Sequence, residues 1–151
     1  MRVQDVMTRN VKTVSAATTA DEAWTLMRMK RIHHLVVTEG RTIVGVVSDR
    51  DLGGARGAAV RDTRLVSELM TEKVVTIEPE TPVRKAANLL CGRSIGCVVV
   101  VRDGHVVGIV TTGDLLELIG RGTERPMATS QRRTISHRAP HRKRHQAAGV
   151  W

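Results

Sequence analysis

Apolar residues recur along this chain in two rhythms. Residues 11–14 and 74–77 are short segments rich in Val, Thr and Ile, the composition of strands. After each, Ala20, Ala23, Trp24 and Met27, and then Val83, Ala86, Ala87 and Leu90, recur at i, i+3, i+4 and i+7. That spacing predicts a helix burying one face. Thr18-x-x-Asp21 resembles a capping box with Asp for the usual Glu, and Pro82 after Thr81 suits a first helical position. Residues 35–38 and 43–48 flank Glu39-Gly40-Arg41, and residues 97–101 and 106–111 flank Asp103-Gly104, so each pair predicts a hairpin. The unbroken Val98-Val99-Val100-Val101 run suits a strand covered on both faces. A last helix is expected from near Asp49 and again from near Thr112. Gly53, Gly54 and Gly57 weaken the first of these, and residues 53–64 read as its end plus a linker.

The two rhythms are one pattern occurring twice. Val3-Gln4-Asp5-Val6-Met7-Thr8 returns 63 residues later as Val66-Ser67-Glu68-Leu69-Met70-Thr71. Val44-Gly45-Val46-Val47-Ser48 returns at the same offset as Val107-Gly108-Ile109-Val110-Thr111. Thr13, Thr18, Ala23, Leu26, Ile32 and Asp51 likewise map onto Thr76, Thr81, Ala86, Leu89, Ile95 and Asp114 with no insertion. A duplicated β-α-β-β-α unit follows, an α/β (α+β) fold with copies over residues 1–60 and 61–120 and an appendage over 121–151.

The stretches Gly45-Val46-Val47-Ser48-Asp49-Arg50-Asp51 and Gly108-Ile109-Val110-Thr111-Thr112-Gly113-Asp114 resemble the closing motif of cystathionine-β-synthase (CBS) domains. The openings Asp5-Val6-Met7-Thr8 and Glu68-Leu69-Met70-Thr71 are similar to that family too, and the likeness covers about residues 2 to 119. The resemblance implies tandem modules packed sheet to sheet about a pseudo-two-fold axis, two clefts that take adenosine-containing ligands, and pairing into a homodimeric disk. It also implies His33 and His34, after Ile32, as groups reaching phosphate. One cleft would add Val46, Met70, Val75, Ile95 and Gly96, and the other Met7, Lys12, Ile32, Ile109, Thr111 and Asp114. Val36 and Val99 stand where many relatives carry Pro, which leaves the strand entrance less rigid.

The motif has its own chemical logic. A strand ending at Ser48 or Thr111 and running into a helix puts a hydroxyl and free backbone N–H groups at the cleft lip, where an anion is favoured. Asp51 or Asp114, three residues on, is an acceptor suited to the vicinal hydroxyls of a ribose. The same residues also make an ordinary helix cap with a dipole-favoured acid. Arg50 adds a permanent charge where the second copy has Gly113. The Asp51 cleft is therefore expected to prefer phosphorylated ligands, and the Asp114 cleft less charged ones.

Composition narrows the function. The chain has 151 residues, neither Phe nor Tyr and two Trp, so its core is aliphatic and base-stacking platforms are scarce. Cys91 and Cys97 form no disulfide framework or zinc pattern and read as buried structural thiols. No apolar stretch approaches a membrane span and the start lacks a signal-peptide run, so a cytoplasmic protein is expected. Most of the net charge of +9 sits at residues 121–151, where eight basic residues face Glu124 alone. Arg132-Arg133 and His141-Arg142-Lys143-Arg144-His145 could neutralise phosphates. His137, His141 and His145 would align on a helix, but Pro140 breaks it. No nucleophile or metal constellation supports catalysis. Two readings follow: a regulatory sensor, without a resident cofactor, that binds AMP, ADP, ATP or S-adenosylmethionine and passes its state to a partner protein, or a dimerising scaffold with a nucleic-acid-binding tail.

Overall fold

Both copies build the same three-stranded sheet. The structure, a computed structural model, describes residues 1–121. A 3-10 turn, Val3–Asp5, leads to β1 (Thr13–Ser15), α1 (Ala20–Lys30), β2 (His34–Glu39) and β3 (Thr42–Ser48). The short helices α2 (Ala58–Arg61) and α3 (Val66–Leu69) precede β4 (Thr76–Ile77), α4 (Val83–Gly92), β5 (Cys97–Arg102), β6 (His105–Thr111) and α5 (Thr112–Arg121). The sheet orders are β1-β2-β3 and β4-β5-β6. In each the first pair is parallel and the second antiparallel. A register shift falls between Val37 and Thr38 and, 63 residues on, between Val100 and Val101. Among the described residues no helix is long and apolar enough to cross a membrane.

Burial follows the predicted stripes. Leu35, Val37, Val47, Ala20, Ala23 and Met27 share one core cluster, and Val98, Val100, Val110, Ala86 and Leu90 the other. Val36 and Val99, which alternate to the opposite face, are also fully buried. Both faces of each sheet are thus covered, as the continuous apolar runs require. Each fully buried Leu or Val side chain contributes about 1.5–3 kcal/mol.

The leading segment of each copy is exchanged. Val3, Val6 and Met7 pack into the second core, while Val66, Leu69 and Met70 pack into the first. Backbone bonds repeat the exchange under the same offset. The Val3 N–H donates to Thr81 O and that of Val66 to Thr18 O, both at 2.8 Å. Thr8 bridges Ile109 and Thr71 bridges Val46. This reciprocity is the pseudo-two-fold relation between the copies.

Several local expectations shift. The cap of α1 is Thr19, whose hydroxyl accepts from the Glu22 N–H, not Thr18 with Asp21. Pro82 is the N-cap of α4 rather than its first residue. Only residues 13–15 and 76–77 of the leading segments pair as strands. Cys91 is exposed, and Cys97 is half-buried. No helix starts at Asp49: Gly53 (φ +88°) and Gly54 (φ +66°) turn the chain into the left-handed region, and only α2 follows. The expected tail sites, including His137, His141, His145 and the basic blocks, lie outside the described residues.

Candidate ligand-binding site

Strand ends from both copies meet around one cavity of about 880 Å³, a volume suited to a nucleotide-sized ligand. Of the expected site residues, Lys12, Ile32, His33, His34, Val46, Ser48, Arg50, Asp51, Val75, Ile95, Gly96, Ile109, Thr111 and Asp114 line it. Met7 and Met70 do not. Their thioethers lie behind the third strand of the other copy, where a Cβ on Gly45 would come within 2.6 Å of Met70 Sδ and one on Gly108 within 2.4 Å of Met7 Sδ. The glycine of each motif is there to let a methionine pass.

The two acids have matching geometry. The Ser48 N–H donates to Asp51 Oδ2 at 2.8 Å, and the Asp51 N–H returns to Ser48 Oγ at 3.1 Å. Thr111 and Asp114 repeat this at 2.8 and 3.2 Å. The Asp49 N–H donates to His33 O, and the Thr112 N–H to Gly96 O. These bonds correct the expectation of free N–H groups at the lip: Ser48, Asp49 and Asp51 all spend theirs internally. Each carboxylate gives Oδ2 to its cap, and Oδ1 makes no hydrogen bond among the described residues. An ionised carboxylate accepts about four hydrogen bonds, so capacity for a ligand remains.

Charge in the cavity is uneven. His33 Nδ1 lies 3.0 Å from Asp49 Oδ2, and the Arg50 N–H donates to Asp49 Oδ1 at 2.9 Å. His33 therefore faces Asp49 at the exposed rim. The side chains of Lys12, Arg50 and Lys73 line the cavity without an ion pair among the described residues. An anion placed beside the Asp51 cap would meet these side chains rather than free backbone N–H groups.

His34 sits where the copies meet. It pairs with Ser48 across β2 and β3, and a Cβ on Gly96 would approach its Nε2 to 3.0 Å. Burial pushes its pKa below the ordinary value, against Asp49, Asp51 and Asp114, which raise it, and His33 adds to the lowering. Cys97, 63 residues on, has its thiol pushed up to about 12, first by burial and then by Asp51. It is a neutral wall of the cavity.

Sequence reasoning missed Thr8, Asn10, Asp49, Thr71, Lys73 and Cys97 as lining residues. The repeat offset held the signal for Cys97 alone. Cys97 is the equivalent of the named His34, whereas neither member of the equivalent pairs Asn10 and Lys73 or Thr8 and Thr71 carried a local signal.

Comparison with known proteins agrees with the duplicated fold. The CBS domain family matches residues 3–55 and 66–121. The CBS domain-containing protein YhcV of Bacillus subtilis is 34% identical over 114 residues, covering 75% of this chain and 81% of that protein. A homoserine O-acetyltransferase of Methanohalobium evestigatum is 34% identical over 119 residues, and the match spans 24% of that enzyme. The crystal structure of the CBS domain pair of protein MJ0100, in complex with 5′-methylthioadenosine and S-adenosyl-L-methionine, superposes with a TM-score of 0.73 at 28% identity, covering 82% of this chain and 98% of that one. With the family matched twice at the observed repeat, this chain belongs to the CBS-domain family as a tandem pair of CBS domains.

Proposed function

We propose that this pair is a regulatory module that binds an adenosine-containing ligand in the shared cavity. The observation carrying the proposal is the meeting of two equivalent Ser/Thr–Asp caps in one cavity, each with carboxylate capacity that suits a ribose, beside cations that form no ion pair among the described residues. The relative bound to 5′-methylthioadenosine and S-adenosyl-L-methionine supports the ligand class. Arg50 and Lys73 lie with the Asp51 cap, because the Thr71 to Val46 bridge brings the second copy's leading segment there. That half takes the phosphorylated ligand, and the Asp114 half, with Gly113 in place of Arg50, takes a less charged one. Occupancy regulates a partner only through unequal affinity for two arrangements of the copies.

Calorimetry with AMP, ADP, ATP and S-adenosylmethionine tests this. At least one should bind, and Asp51→Ala or Asp114→Ala should weaken it about tenfold, since a charge-assisted hydrogen bond contributes about 1.5–3 kcal/mol. Absence of heat for all four overturns the proposal.

A further inference from the structure

The two caps are held in place by different means. In the second copy the motif runs directly into α5, whose backbone ladder fixes Asp114. In the first copy the chain leaves the helical path at Gly53 and Gly54, so among the described residues the Leu52 carbonyl accepts no backbone N–H and the Gly54 carbonyl accepts only that of Gly57, at 3.1 Å. Arg61 supplies a donor to both. Its Nη1 donates to Leu52 O and to Gly54 O, each at 2.8 Å. The residue is only 5% exposed, unusual for an arginine. Its guanidinium carbon lies 4.2 Å from the Trp24 ring centroid on α1, within cation–π range. Nε lies 3.6 Å from Asp21 Oδ1, an ion-pair distance that makes no hydrogen bond, and Nε has no other partner among the described residues.

A buried cation with an unsatisfied donor is costly to keep for packing alone. An apolar side chain would fill the space without that penalty, yet it could not bind two carbonyls on a loop that begins at the ligand-facing acid. We propose that Arg61 is the positioning residue of the Asp51 half: it replaces the missing helix in holding the Ser48–Asp51 cap, and through Trp24 it ties that cap to α1. The ligand role of the cap rests on the function proposed above, but the holding role is independent of any ligand.

Amide hydrogen exchange in the full chain tests it, with Thr111 and Asp114 as the reference inside the same molecule. Arg61→Met should speed exchange at Ser48 and Asp51 about tenfold, the equivalent of a lost charge-assisted hydrogen bond, and leave Thr111 and Asp114 unchanged. Arg61→Lys, which keeps the cation but loses the planar fork, should fall between. Equal acceleration in both copies, or none in the first, overturns the proposal. If Arg61→Met does not fold, Arg61→Lys decides by the same criterion. A second arm titrates AMP into the same proteins. Affinity should drop about tenfold in Arg61→Met, and unchanged affinity overturns the positioning of the acid for the ligand, the holding role being decided by the exchange data. Wild-type protein that binds no AMP sinks the AMP reading of the cavity and leaves the exchange data to decide on Arg61.

Discussion

The two copies share sheet, register and cap, and diverge within a few residues of the acid. After Asp114 the second copy continues as α5, an amphipathic helix with no buried residue and with Leu116 and Ile119 exposed. After Asp51 the first copy winds into a glycine loop packed on itself and caught by the buried Arg61. A duplicated fold can therefore keep a pair of identical acids while anchoring one in a regular helix and the other in a hand-fitted loop. The loop has little tolerance for change, and the helix has much.

The glycines that follow each motif expose this difference most strongly. Gly57 and Gly120 are equivalent positions. A Cβ on Gly57 would meet the backbone of Gly53 at 2.2 to 2.4 Å, whereas one on Gly120 meets nothing within 4 Å. Gly57→Ala should destabilise the protein by about 3 kcal/mol, the upper end of the usual overpacking range, because the clash is with backbone. Gly120→Ala, within a helix, should stabilise it by about 0.5–1 kcal/mol. Urea denaturation midpoints measure both. Similar shifts for the two variants would erase the contrast between loop and helix.

That contrast was half legible in the sequence. The offset of 63 was readable because buried strands and helix stripes constrain residue type at every second or third position, and so both sheets and both acids emerged. Gly53, Gly54 and Gly57 announced a weak helix, but the loop's shape depends on Arg61, whose burial against Trp24 is a long-range contact that no local pattern encodes. The resemblance assigned Met70 to the first copy's cleft and Met7 to the second's, but their depth was equally hidden. They read as ligand contacts, and only the approach of Met70 to Gly45 and of Met7 to Gly108 shows them passing behind the strand. Lys73 escaped notice because its equivalent, Asn10, is uncharged.

A smaller effect comes from exchanging charge between the copies. Arg50→Gly removes a cavity cation from the Asp51 half, and Gly113→Arg adds one to the Asp114 half, where a Cβ has ordinary contact at 3.5 Å from Thr111 Oγ1. For AMP, Arg50→Gly should weaken binding about fivefold, near 1 kcal/mol for an exposed charge-assisted contact. Gly113→Arg should strengthen binding at the Asp114 half by a similar factor. Calorimetry in the Asp51→Ala and Asp114→Ala backgrounds assigns each effect to its half. If Arg50→Gly leaves AMP affinity unchanged while lowering nothing else, Arg50 is no part of phosphate recognition.

The least perturbing comparison is between His34 and Cys97, equivalent positions that both line the cavity. Because burial holds His34 below its ordinary value of 6.5, the unfolded chain takes up a proton before the folded protein does. Stability from this group is full above that value and is lost as pH falls through it toward the folded value. Cys97, with its thiol pushed up to about 12, stays neutral over the same interval. Thermal unfolding between about pH 7.5 and 5.5 should therefore show a flatter loss of Tm in His34→Gln than in wild type, and an unchanged loss in Cys97→Ser. A phosphate bound beside His34 favours the imidazolium and works against the burial that lowers the pKa. Saturating AMP should then shrink the acid loss in wild type beyond its shrinkage in His34→Gln. A profile in which AMP shifts both proteins by the same amount at every pH would separate the histidine from the phosphate, leaving Arg50 and Lys73 as the cations that read it.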